Sequence, residues 1–265
     1  MKLTRQPALF VSHGAPTIVI DDTPARHFLT GLKGGLPAKP AAIVLISAHH
    51  DEPLASITSA AQPGTFHDFG GFPEELYRMR YPAPGSPDLA LRISGLLQGT
   101  GIANRLDPER GFDHGTWTPL ILAWPEADIP VVQVSINSRE TPEYHYRLGQ
   151  ALEALRDENI LIIGSGAITH NLHAFFRGGY SATSAAQPWV TDFLDWLDAN
   201  LLAGDHKAVL HAIGQAPHGA DNHPTMDHIL PLFVALGAGG STSKATKLHA
   251  SVEYGVLAMD AWRFD

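Results

Sequence analysis

Four histidines stand where core elements give way to turns: His13 in SHGAP, His49 in SAHHDE, His170 in ITHNL and His228 in DHILPL. A strand end or helix start presents a side chain rigidly without covering it by the next layer. Three or four neutral imidazoles on a divalent ion also leave coordination positions for substrate, as a catalytic metal requires. The chain has 15 histidines and no cysteine, so any metal has to be held by His, Asp or Glu. Separate helix caps and loop hydrogen bonds would account for the same four residues one at a time. Spacing does not choose between His49 and His50, or between His223 and His228, and His173 competes for the same roles. His27, His145, His206, His211, His218 and His249 carry no accompanying cue and read as structural.

The elements that must position these residues alternate between strand and helix. ALFV at 8–11 reads as a strand that ends at Ser12-His13-Gly14, and Thr23 or Asp22 caps a helix over 25–32. Residues 41–48 form a near-continuous apolar run, the pattern of a strand covered on both faces, and it breaks off at His49. Asp88 is expected to cap an amphipathic helix that stops at Gly99. A strand over 131–136, a helix over 143–158 and a strand over 160–163 follow. That last strand closes on Gly164-Ser165-Gly166, read as a tight turn or a nest of backbone amides. Helices are expected over 189–202 and 228–237, and a late strand over 248–257. The alternation predicts the α/β class, a single domain over 1–265 with a central mainly parallel or mixed sheet flanked by helices. Ligand sites in such sheets gather outside the carboxyl ends of the strands, where His13, His49 and His170 fall.

Residues 60–87 are dense in glycine, proline and aromatics with no sustained period. Linkers rarely hold Phe66, Phe69, Phe72, Tyr77 and Tyr81, so this segment reads as an ordered loop, a lid or a pocket wall. Phe69 and Tyr81 are its candidate substrate contacts, with core packing as the plainer role.

Other functions are disfavoured. The net charge of −9 comes without a Lys/Arg cluster, which argues against a surface that tracks nucleic-acid phosphates. No apolar run approaches the ~18 residues of a membrane span, and the first residues turn polar too early for a signal-peptide core, so a cytoplasmic protein is expected. Gly164-Ser165-Gly166 lacks the spacing of a serine-hydrolase elbow, and no G-x-G-x-x-G motif follows a strand.

Taken in order, LFVSHGAP, IVLISAHH, FHDFGGFPEELY, YPAPGSP, GFDHGTW, IPVVQVSI, GSGAITHNL and DHILPL span nearly the whole chain. Together they resemble the class III extradiol ring-cleavage dioxygenases of the LigB-like group, most closely its DOPA-type members. The resemblance implies an enzyme that opens a catechol-like ring next to its diol using O2 and a mononuclear non-haem metal. It makes His13, His49 and His228 the metal ligands, choosing His49 over His50. It makes His170 an acid–base residue and His114 a second catalytic imidazole facing substrate or oxygen. Asp227 is expected to point away from the site. His223 is an extra imidazole relative to the family pattern, expected near the metal or the substrate. Fe(II) is the expected active ion, and Zn(II) is able to occupy the same nitrogens. The expected partners are a small aromatic diol and O2, with no nucleic acid or membrane, for a monomer or small homo-oligomer. A zinc-dependent hydrolase or amidase and a non-catalytic metal-binding relative are the other classes compatible with these ligands.

Overall fold

The strand begun by the apolar run at 42–48 does not stop where its hydrophobicity does. In the computed structural model, which describes residues 4–265, strand β2 (Ala42–Asp51) continues through both histidines. Pairing with the neighbouring strand persists to Asp51, across a register irregularity after Ser47. Such an irregularity re-aims the side chains beside it.

Eight strands form one sheet. They are β1 (Ala8–Ser12), β2, β3 (Ala55–Thr58), β4 (Asn104–Asp107), β5 (Val131–Ile136), β6 (Ile160–Gly166), β7 (Ala245–His249) and β10 (Ala261–Phe264). A separate short hairpin pairs β8 (Val252–Glu253) with β9 (Leu257–Ala258). The order across the sheet is β4-β3-β5-β2-β6-β1-β10-β7. The four central strands are mutually parallel, while β3 and β10 run against them. The sheet is therefore mixed, with a parallel centre buried on both faces, which explains the continuous Val/Ile/Leu runs of β2, β5 and β6.

Alternate residues of the central strands enter two cores. On one face Phe10, Val44, Ile46 and Ile162 pack with α3 (Pro87–Gly99), α5 (Pro142–Leu152), α7 (Pro188–Ala203) and α11 (Leu230–Gly239). On the other, Leu9, Ile43, Leu45 and Ile163 pack with α1 (Pro24–Gly31) and α4 (His114–Ala123). The remaining helices are short: α2 (Glu74–Arg78), α6 (Leu172–Arg177), α8 (His206–Leu210), α9 (Ala212–Gln215) and α10 (Gly219–Asn222).

Several boundaries differ from expectation for local reasons. Ser86, not Asp88, caps α3, its hydroxyl accepting from Leu89 N–H while Pro87 supplies the first turn. Gly164-Ser165-Gly166 is strand, not turn, because β6 lies between β1 and β2 and pairs with both through Ser165. Its glycines serve close packing: a Cβ on Gly166 would lie 2.1 Å from the His228 carbonyl oxygen. The expected late strand over 248–257 is instead the end of β7 followed by the β8–β9 hairpin, and β10 comes after it. Tyr254 and Gly255 at its centre take positive φ, which turns the chain.

Candidate metal centre

Five imidazoles converge at the carboxyl edge of the parallel centre. His13 follows β1, His49 rides on β2, His170 follows β6, His114 opens α4, and His228 lies in the turn before α11. Ring centroids lie 4.9 Å apart for His13 and His49, 4.9 Å for His49 and His228, 5.6 Å for His13 and His228, and 3.9 Å for His49 and His114. His170 stacks on His228 at 3.4 Å with an interplanar angle of 10°.

The nitrogens suit a cation. His13 Nε2 and His49 Nε2 are 3.0 Å apart. Two nitrogens bound to one ion at about 2.1 Å each would stand about 3.0–3.4 Å from each other, depending on the bond angle. Donor atoms of His13, His49 and His114 fall within 4.8 Å of one another, as do those of His170, Asp227 and His228. The two groups adjoin through the His49–His228 contact.

Acidic and hydroxyl groups occupy the far side of these rings. His114 is held twice by Asp68, through its backbone N–H at 2.9 Å and its ring Nδ1 at 2.9 Å. The same carboxylate reaches within 3.6 Å of His49 Nδ1. Asp227 does not point away: its carboxylate accepts from Nδ1 of His228. Adjacency in sequence gave no sign of this bond, which forms because both residues sit in the turn that precedes α11. Such partners orient a metal-binding imidazole and leave its other nitrogen free. Burial pushes the Asp68 and Asp227 carboxyls up, but their bonded histidines outweigh it and hold both well below the usual carboxylate range.

Burial, reinforced by neighbouring imidazoles, pushes the ring pKa of His13 and His49 far down and that of His170 to about 3. All three are neutral at pH 7, the form that binds a metal or accepts a proton.

His50 points to the opposite side of β2 from His49, as the two-residue period of a strand requires. It is fully buried, without a partner among the described residues for either ring nitrogen, and held neutral with a pKa of about 3. It lies outside the cluster that the His49 ring joins. His173 lies on α6, which has no buried residue.

Two expected substrate contacts are placed elsewhere. Tyr81 is fully buried in the core beneath α4, where burial and then the charges of Asp128 and Glu126 push its hydroxyl pKa up. Those acids precede β5, at the end of the sheet away from the histidines, so Tyr81 packs in the core rather than lining the pocket. His223 is buried and donates from Nε2 to the Ile168 carbonyl at 2.7 Å. Together with the Asn222 carbonyl, which accepts from His170 N–H, it fastens the segment that carries His170. Phe69 does lie at the site, 5.8 Å from the His114 ring and edge-on to it, backed by Phe72 and Tyr77.

A family model described as the catalytic LigB subunit of aromatic ring-opening dioxygenase matches residues 7–261. The chain belongs to this family. Among its LigB-type relatives is a 4,5-DOPA dioxygenase extradiol of Beta vulgaris, 42% identical over 258 residues, covering 96% of this chain and 95% of the relative. A protein of the same name from Escherichia coli K12 is 40% identical over 262 residues, covering 98% of this chain and 94% of the relative. The crystal structure of an uncharacterized E. coli K12 protein superposes with a TM-score of 0.79 at 35% identity. That match covers 98% of this chain and 100% of the other. This LigB chain brings its histidines together from five separate segments, so their grouping is a property of the fold rather than of any one motif.

Asp68, Ser47 and Ser165 escaped the sequence reading. Asp68 lay within FHDFGGFP, a segment valued for its aromatics. The serines looked like strand or turn filler, and the only available signal was their position two residues before His49 and one before Gly166.

Proposed function

We propose that this chain is a non-haem, metal-dependent extradiol dioxygenase that cleaves the ring of a DOPA-like catechol with O2, acting as one LigB unit over 1–265. The observation that carries the proposal is the five-imidazole cluster: donor nitrogens of His13, His49 and His114 are close enough to share an ion, the His228 ring adjoins His49, and acidic partners stand behind the rings. His13, His49 and His228 would hold the metal, with Fe(II) as the active ion. Zn(II) binds such nitrogen sites more tightly and would compete.

Bound iron would supply the Lewis acidity that acidifies a catechol and the redox path between the diol and O2. The protein's own groups do the rest. His170, neutral and stacked against His228, accepts a catechol proton. His114, with Nδ1 engaged by Asp68, keeps Nε2 for hydrogen bonding to oxygen or to the opening ring. Phe69, Phe72 and Tyr77 give a planar ring an apolar wall beside that imidazole. The loop bearing them is fastened to α4 by Trp117, whose indole N–H donates to the Phe66 carbonyl.

The likeness to proteins named 4,5-DOPA dioxygenase extradiol supports the choice of substrate class. Protein loaded anaerobically with Fe(II) is expected to turn L-DOPA or another catechol into a yellow ring-opened product on admission of oxygen, whereas Zn(II)-loaded protein is not. Absence of product across a catechol panel would overturn the proposal.

A further inference from the structure

Ser47 and Ser165 are direct register partners on the adjacent parallel strands β2 and β6. Both are fully buried, and each touches one histidine of the proposed metal centre. Ser47 Oγ accepts the His49 backbone N–H at 3.1 Å, and Ser165 Oγ lies 3.0 Å from His13 Nδ1. Each hydroxyl also donates to the first turn of α4. Ser47 donates to the Asp113 carboxylate at 2.7 Å, and Ser165 donates to the Gly115 carbonyl.

The proton count at Ser165 decides a tautomer. A carbonyl oxygen only accepts, so the single hydroxyl proton of Ser165 is committed to Gly115. Its remaining capacity is as an acceptor, and His13 Nδ1 must then carry the proton. The lone pair of the neutral ring is thereby placed on Nε2, the nitrogen that faces His49 Nε2. Asp113, the other end of the arrangement, is itself buried and held by Gln133, Arg110 and the Thr116 N–H.

Gly115 completes the fit. A Cβ there would lie 2.4 Å from Ser47 Oγ, 3.0 Å from His49 Cδ2 and 3.2 Å from His13 Cε1. Only glycine lets the start of α4 sit down on Ser47 and both rings at once.

We propose that Ser47 and Ser165 form a paired bracket, closed by the first turn of α4, that fixes His49 and His13 before metal arrives, with Ser165 selecting the Nδ1–H tautomer of His13. Both serines are positioning residues. The inference rests on the reading of His13 and His49 as metal ligands, and a partner of this kind typically contributes about 10–100-fold to metal affinity.

The test combines two measurements on the full chain. Long-range 15N–1H spectra of the metal-free wild type should show His13 protonated at Nδ1 and bare at Nε2; an Nε2–H tautomer overturns the bracket. Zinc(II) affinity, read by competition with a chromophoric chelator, should weaken about 10–100-fold in Ser165→Ala. Ser165→Cys keeps the volume but is a weak acceptor, and carries the same expectation if the alanine variant fails to fold. Wild-type affinity in a folded variant overturns the bracket while leaving the metal centre intact. Failure of the wild type itself to bind zinc overturns the metal centre, and the bracket with it.

Discussion

At the scale of single residues the site divides into imidazoles that would hold the ion and imidazoles that would move protons. His228→Ala and His49→Ala should each abolish stoichiometric metal, measured by elemental analysis after Fe(II) loading and desalting. His170→Ala should keep its metal and lose about 10²–10⁴-fold in kcat, the usual contribution of a positioned acid or base. His114 stands as close to His49 as any ligand does, so the same analysis on His114→Ala discriminates between the two donor groups. Metal retained with turnover lost assigns His114 to chemistry, whereas metal lost would put it in the coordination sphere in place of His228. Asp68→Asn keeps the shape of the side chain and removes its charge, and is expected to lower kcat more than metal content, because its stronger bonds are to His114.

At the scale of elements the site depends on close contacts between backbones. Gly166→Ala would press a methyl group against the His228 carbonyl, 2.1 Å away, where the chain enters α11. Backbone cannot rotate aside as a side chain can, so the expected cost is about 1–3 kcal/mol in urea denaturation, together with weaker metal binding. Contacts of this kind also explain what the sequence could and could not reveal. Apolar runs made the four parallel strands legible, and the breaks in those runs pointed to His13, His49 and His170, although β2 continues to Asp51 and β6 to Gly166. The short flanking strands β3 and β4 were not legible, since four residues apiece carry too little pattern. The role of Gly164-Ser165-Gly166 was hidden because strand pairing on both sides overrides the turn preference of two glycines. Asp68 was hidden because its partner lies 46 residues away and is reached only when the loop folds over α4.

At the scale of the molecule, burial of histidine makes stability depend on pH. His50, His145 and His223 lie outside the proposed ligand set and are held neutral by burial, with pKa values of about 3, 4 and 4. In an unfolded chain each would titrate near 6.5. Below that pH the unfolded state binds protons that the folded state refuses. Stability is therefore fully present above about pH 6.5 and erodes as pH falls toward 4, by up to about 1.4 kcal/mol per pH unit for each group. Asp113 and Asp260, whose carboxyls burial pushes up, act in the opposite sense. The three imidazoles begin titrating at higher pH, so metal-free protein should show a falling urea midpoint between pH 7 and 5. A midpoint that stays flat would mean these rings are not held neutral in the fold.

The same edge of the sheet gathers the imidazoles, the acidic partners and the aromatic wall, and the central claim is that this edge performs ring opening with O2. The most direct measurement supplies Fe(II)-loaded protein with L-DOPA under 18O2 and weighs the ring-opened product by mass spectrometry. Incorporation of both atoms of one O2 into each product molecule is the predicted result. Product formed without label from O2, or no consumption of O2 at all, would contradict the account.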